Sequence, residues 1–409
     1  MTKSHTFLVL ILVMFATCIS SGAIVHGDET LPWGVERIHA HCVWDNNHNM
    51  TIDEGANAGQ NATIAIIDSG IDYYDSNYER FYHPDLAGNI LGGIWYWHHW
   101  QTCIVDQNVT DFKDEDGHGT GVAGIVAAVD NTYGVIGTAP RAKMYAIRHD
   151  YYSNFGWAKV VAAGINWAME VNAQIIIIST ALEQTPYYNY SVLYNACKNA
   201  YGNGSLIFAP AGNGNTSVYY PAAYDAFVIA VGAIDENDIR WNPSSKLGSN
   251  FGTELDFVAP GVNICSTSPN GTYTNLTGTS VACPHVAAVA ALIWSSKPDP
   301  EYTGGSNKPW NNTSVGEKLR HLALDLGAPG RDDYYGYGLI NGWAPNQRPL
   351  GDVNNDLKVR VDDVSLAQAA YGSEPGHSNW DPRADINIDN KVRVDDILII
   401  ALNFGKTDP

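Results

Sequence analysis

From Gly27 to about Pro345, short apolar and β-branched runs alternate with longer stretches of helical spacing. TIAIID (63–68), AKMYAIR (142–148), QIIIIST (174–180), SLIFAPAG (205–212) and FVIAVGA (227–233) are apolar at nearly every position. A strand covered on both faces must read this way, so all five are expected in a parallel sheet. Between and after them, GHGTGVAGIVAAV, WAKVVAAGINWAMEV and the Ala-rich VACPHVAAVAALIW have the length and small-residue spacing of packed helices. The alternation predicts βαβ units, hence an α/β fold with a doubly wound, mostly parallel sheet over residues 24–345. In such sheets, ligands and reacting groups gather at the carboxyl ends of strands.

Both ends of the chain break the alternation. The first residues have a basic start at Lys3, an apolar run from Phe7 to Ile19 and small residues from Ser21 to Ala23. That is the order of a secretory signal peptide, expected to be removed as residues 1–23. The apolar run falls short of the roughly 20 residues that span a bilayer, and no later run approaches that length, so no membrane span is expected after cleavage. At the other end, NQRPL (346–350) is polar and Pro-containing and reads as a linker. A duplicated unit fills residues 351–409: GDVNNDLKVRVDDVSLAQAAYG from Gly351 returns as ADINIDNKVRVDDILIIALNFG from Ala384. Two copies are too few for a solenoid and predict a small paired, all-α module.

Composition narrows the function classes. The formal charge of −20 leaves no basic face for phosphates and argues against nucleic acid as a partner. Without the leader the cysteines are Cys42, Cys103, Cys197, Cys265 and Cys283, an odd number with no CxxC pair, so a cysteine metal cluster is not expected. Export would allow disulfides, whose pairing the spacing leaves open, and would expose the Asn-x-Ser/Thr sequons between Asn49 and Asn312 to glycosylation.

Candidate chemistry sits in Gly-flanked turns. TIAII ends in Asp68-Ser69-Gly70, which puts a carboxylate at the end of a strand. In DEDGHGTG, His118 stands between glycines at a helix start, where an imidazole can reach a cleft without neighbouring bulk. In LTGTSVACPHVAAVAALIW, Ser280 opens an Ala-rich helix, where unpaired N–H groups favour a developing anion, and Pro284 is expected within its first turn. A serine hydroxyl needs a base to take its proton, a neutral histidine does this near neutral pH, and a carboxylate can orient that ring. APAGNGN adds Asn213 as a donor to the oxyanion, beside the Ser280 N–H.

In order, IAIIDSGID, DGHGTGVAG, AGNGN and LTGTSVACPHVAA resemble the signature blocks of the subtilisin-like serine peptidases, over roughly Leu31 to Ala344. The resemblance implies hydrolysis of peptide or protein substrates, with Ser280 as nucleophile, His118 as base and acid, Asp68 as orienting carboxylate and Asn213 as oxyanion donor. It also implies a structural calcium ion (Ca2+) bound by side chains of Glu29, Asp85 and Asn131 and carbonyls of Val129, Tyr133 and Val135. Hard oxygen donors suit that ion. Two departures from the family pattern stand out. Ser179, Thr180 and Ala181 occupy a substrate-pairing segment usually rich in glycine, and Tyr219 stands where a small residue usually borders the pocket for the side chain preceding the scissile bond. A bulky ring there is expected to restrict the pocket to small side chains. The Tyr-rich insertion between Asp72 and His83 and the run at Trp95 are expected mainly to pack.

In the tail, acids and amides fall at positions 1, 3, 5 and 12 of two loops: Asp352, Asn354, Asp356 and Asp363, then Asp385, Asn387, Asp389 and Asp396. This is the spacing of an EF-hand-type calcium loop, with Lys358 and Lys391 at position 7 offering only carbonyls. Leu357 takes the place of the position-6 glycine, which predicts weaker binding in the first loop. The pair resembles a dockerin domain, which implies docking on a cohesin-bearing scaffold or surface protein; a calcium-stapled stability module is the plainer alternative. For the whole chain the expectation is a secreted, tethered serine endopeptidase, and its rival is a surface-displayed binding protein on a vestigial peptidase fold.

Overall fold

The computed structural model describes residues 29–45, 47, 49–76, 79–98, 105–108, 111–150, 154–183, 190–296, 311–328 and 330–342, and in the tail 351, 353, 359–374, 379, 384, 386 and 391–405. The leader, the linker and the expected ligands Asp352, Asn354, Asp356, Lys358, Asp385, Asn387 and Asp389, with Leu357, lie outside them. A short helix α1 (Trp33–Arg37) precedes β1 (Thr63–Asp68) and the hairpin β2 (Tyr73–Ser76) and β3 (Glu79–Tyr82). There follow β4 (Ile90–His98), β5 (Val105–Asn108), α2 (His118–Ala127), β6 (Lys143–Asp150), α3 (Asn154–Glu170), β7 (Ile175–Ile178) and α4 (Ser191–Gly202). Then come β8 (Leu206–Pro210), β9 (Val228–Ile234), β10 (Phe257–Pro260), β11 (Ile264–Ser268), β12 (Thr272–Leu276), α5 (Thr279–Ser295) and α6 (Asn312–Leu322). The tail supplies α7 (Val361–Ala369) and α8 (Val394–Asn403).

Eight strands form one sheet in the order β10-β9-β8-β7-β1-β6-β4-β5, parallel throughout except for β5. All five expected strands are in it. Helices α2 and α5 pack against one another and the sheet, while α3 and α4 form a second pair against it. Ile64, Ala65, Ile66 and Ile67 are all buried, because β1 lies between helical layers and has no wet face. Strand β4, which opens ILGGIWYWH, breaks the apolar-run rule since it lies near the sheet edge, with half-buried residues alternating with buried ones. Within it Trp95 and Trp97 lie against each other, ring centroids 4.5 Å apart at a 40° tilt, and the hairpin's Tyr73 and Tyr82 rest on Phe112, so these members of the two aromatic runs pack.

The tail's helices share a separate small core of Val353, Val359, Ala367, Ala370, Ala384, Val392 and Ile400, to which both copies contribute. Each copy clasps the other: Gly372 N–H donates to Val392 O at 2.8 Å, and Gly405 N–H to Val359 O at 2.8 Å. Gly372 and Gly405 have φ of 77° and 82°, as helix-ending glycines should. Asp363 and Asp396, expected to close calcium shells, accept N–H groups from the loop start (Val353, Ile386) and the helix start (Arg360, Arg393) at 2.7–2.8 Å. Lys391 is half-buried.

Candidate active site

The carboxyl end of β1 and the first turns of α2 and α5 build the site. Asp68 is the last residue of β1, and its buried carboxylate accepts the Ser69 N–H at 2.6 Å. His118 is the first residue of α2, and its Nδ1 lies 2.9 Å from each Asp68 oxygen. Gly119 makes this approach possible: a Cβ there would lie 2.1 Å from the Gly70 carbonyl oxygen. On the far side of the ring, Nε2 is 2.9 Å from Ser280 Oγ, in the first turn of α5. Residues expected from separate turns, 50 and 162 positions apart, thus form one hydrogen-bonded line.

Asn213 joins them from the loop after β8. Its Oδ1 accepts from Thr279 N–H at 2.9 Å and Thr279 Oγ1–H at 2.8 Å, which turns the amide nitrogen the other way. A Cβ on Gly278 would lie 3.2 Å from Asn213 Nδ2 and 3.4 Å from Ser280 Oγ, so both groups border one small space that only glycine leaves open. The Ser280 N–H, in the first helical turn, has no intrahelical acceptor and faces outward from the helix end. Thr279 was legible only as part of a capping turn; its role depends on a residue 66 positions away.

Pro284 departs from expectation. With Gly278 as N-cap it stands sixth in α5, beyond the first turn, and removes a helical N–H that would have donated to the Ser280 carbonyl.

The electrostatics follow from burial and neighbours. Burial alone would push the His118 ring's pKa down, but the Asp68 charge and hydrogen bond, with Asp116 and Asp114, win and raise it to about 9. Burial would push Asp68 up, but the His118 ring and the Ser69 N–H hold it below the ordinary carboxylate value.

Around the site, Ser179 N–H donates to Ile67 O at 3.1 Å, so residues 179–181 continue from β7 beside the Asp68 end of β1. Leu182 pairs with Tyr220 through two backbone bonds of 2.9 and 3.0 Å. The Tyr219 ring lies against both glycines that flank Asn213: a Cβ on Gly212 would come within 2.6 Å of Tyr219 Cδ2, and one on Gly214 within 2.5 Å of its hydroxyl.

The residues expected around calcium also converge. Glu29 accepts the Asn131 N–H at 2.9 Å; Asp85 accepts Asn131 Nδ2 at 3.1 Å, Val135 N–H at 3.0 Å and the Tyr273 hydroxyl at 2.9 Å. Burial, with Asp130 and Asp85 close by, pushes the Glu29 carboxyl up to about 7. Among the described residues no hydrogen bond is made to the carbonyls of Val129, Tyr133 or Val135. Crowded carboxylates beside free carbonyls fit a hard divalent cation. Among the described residues Cys197, Cys265 and Cys283 are in no disulfide, and Cys42 Sγ lies 3.4 Å from His41 Nε2; Cys103 lies outside the described residues. Among the described residues no helix is long and apolar enough to cross a membrane.

Comparison with known proteins identifies the family. The profile of the subtilase family, Peptidase S8, matches residues 59–338. Subtilisin Savinase of Lederbergia lenta is 34% identical over 317 residues, covering 77% of this chain and 98% of that protein. Subtilisin E of Bacillus subtilis (strain 168) is 36% identical over 324 residues, 78% of this chain and 72% of its own. The alkaline protease of Alkalihalobacillus alcalophilus is 34% identical over 317 residues, 77% and 70% respectively. With the matched region spanning the sheet and the loops that carry Asp68, His118, Asn213 and all the candidate calcium ligands of the peptidase region except Glu29, and ending beyond Ser280, this chain belongs to the subtilase family.

Proposed function

We propose that the chain is a secreted serine endopeptidase that cleaves peptide bonds through an acyl-enzyme on Ser280. One observation carries this reading: the unbroken line Asp68–His118–Ser280, with 2.9 Å at each junction. His118 Nε2 takes the Ser280 proton as Oγ attacks the scissile carbonyl, while Nδ1–H donates to Asp68, which stabilises the imidazolium. Negative charge developing on the carbonyl oxygen is met by the Ser280 N–H and Asn213 Nδ2. His118 then protonates the leaving amine, and a water activated by the same ring releases the acyl group. The ordered line also weighs against a vestigial fold used only for binding.

Calcium is the proposed structural cofactor. Side chains of Glu29, Asp85 and Asn131 and the carbonyls of Val129, Tyr133 and Val135 would hold it, and it would supply positive charge to a loop crowded with carboxylates. The tail, with its own core and repeated loops, is proposed as a calcium-dependent tether to a cohesin-bearing scaffold or surface protein. Tyr219, beside the oxyanion donor, would confine the residue preceding the scissile bond to small side chains; a peptide-library profile dominated by large aromatics would contradict this.

A fluorophosphonate probe tests the central reading. Calcium-loaded wild-type protein should label covalently and Ser280→Ala should not; a folded wild type that fails to label overturns the assignment.

A further inference from the structure

Strand β6 places Arg148 opposite Asp68 in the parallel register with β1, at the same end of the sheet as the site. Its guanidinium is buried, with 7% of the residue exposed. Because a guanidinium keeps its charge in any protein setting, such burial requires acceptors. Nη1 donates to the Lys113 carbonyl at 2.7 Å; Nη2 donates to Glu115 Oε2 at 3.0 Å and Asp150 Oδ2 at 3.2 Å. One face of the group covers Trp95, with Cζ 4.6 Å from the ring centroid, and Trp95 Nε1–H donates to the same Asp150 oxygen at 2.8 Å.

Two of those three acceptors belong to the segment that leads into His118. The inner side of that segment is held separately: Asp114 N–H donates to Ile71 O, and the Asp114 carboxylate accepts from Asp116, Gly117 and Thr120 N–H groups and the Thr120 hydroxyl. The N-cap of α2, Gly117, has no side chain to offer, and the helix's first N–H groups are taken by Asp116 (from His118), Ser69 (from Gly119) and Asp114 (from Thr120), so the position of His118 depends in part on how the loop that carries Asp114 and Asp116 is held.

We infer that Arg148 is a positioning residue for the peptidase reaction, clamping residues 113–115 from the outer side so that His118 stays in line between Asp68 and Ser280. The inference rests on the proposed enzymatic role of that line. It separates two contributions that a purely structural arginine would not have. The planar fork spans a carbonyl and two carboxylates at once, which fixes the loop. From its place opposite Asp68, its charge would oppose the acidic surroundings of His118, which is faced by Asp68 from β1, Asp114 and Asp116 from the loop and His149 from β6.

The test compares kinetics of the full chain in calcium, with folding checked by thermal unfolding. In Arg148→Met, kcat on a peptide amide should fall about 10- to 100-fold while KM stays within about threefold, because orientation of the base is lost and substrate contacts are not. Its acid limb should also move to higher pH, since removing a cation favours the imidazolium. Arg148→Lys keeps the charge but a point ammonium cannot bridge all three acceptors; its acid limb should match wild type while kcat is intermediate. A folded Arg148→Met with wild-type kcat and acid limb overturns the inference. Should that variant not fold, Glu115→Gln, at an exposed anchor, and Arg148→Lys decide it, and wild-type kcat in both refutes the clamp. If wild type neither labels with fluorophosphonate nor cleaves peptide, the enzymatic reading has failed instead. The His118 titration read by imidazole NMR then still tests the charge effect, and an unchanged midpoint in Arg148→Met refutes it.

Discussion

Asn213 offers its amide nitrogen to the space beside Ser280 because Thr279 has already engaged its oxygen twice. Thr279→Val deletes one of those bonds and the acceptor for Gly212 N–H, so the amide can rotate away. We expect kcat to drop about 10- to 100-fold, with fluorophosphonate labelling slowed but not abolished. At the same scale, the carboxylates around His118 set the working pH. Catalysis needs the neutral ring, so kcat/KM should fall as pH drops through about 9 and level off above it. An acid limb centred at the ordinary imidazole value would contradict this. Asp68, His118, Asn213 and Ser280 were all legible because each lies in a Gly-containing turn next to a strand or helix. Thr279 and Arg148 were not, because their partners are distant in sequence and their residue types carry no signal alone.

At the scale of elements, α2 reaches the end of β1 only because Gly119 has no side chain. Gly119→Ala should destabilise the fold by at least about 1–3 kcal/mol by overpacking against backbone that cannot yield, and should reduce kcat as His118 shifts; urea unfolding and steady-state kinetics read both. Glu29, which accepts the Asn131 N–H of the loop between α2 and β6, supplies a pH-dependent case. Glu29 has a folded pKa of about 7 against an ordinary 4.5, so the folded chain binds that proton more tightly than the unfolded one. Stability without metal should therefore decline as pH rises from 4.5 to 7 and change no further through this group above that. Bound calcium would neutralise the carboxylate and flatten the slope; equal slopes of Tm against pH in chelator and in calcium would exclude the proposed site. The apolar runs foretold the buried strands well because complete burial leaves no alternation to misread. They missed β4, β5 and β10, which are near an edge or too short to stand out.

At the scale of the whole molecule, the hydrophobic clusters of the peptidase region share no described residue with the core of the tail. Calorimetry in calcium should resolve two transitions. Asp396→Ala, which strands the Ile386 and Arg393 N–H groups, should abolish the smaller one and leave peptide hydrolysis unchanged. A single transition, or lost activity, would mean that the tail supports the peptidase fold. Apolar periodicity and the Gly-flanked motifs by themselves determined the parallel α/β frame, the order of the reacting groups and the duplicated tail, because strand burial and tight turns impose their requirements on neighbouring residues. Only the tertiary structure decided that the Asn213 amide faces Ser280, that Pro284 lies past the first turn, that Tyr219 lies against the loop that carries Asn213 and that Arg148 grips the segment before His118. Hydrogen-bond direction and close approach are set between segments far apart in the chain, and no local pattern encodes them.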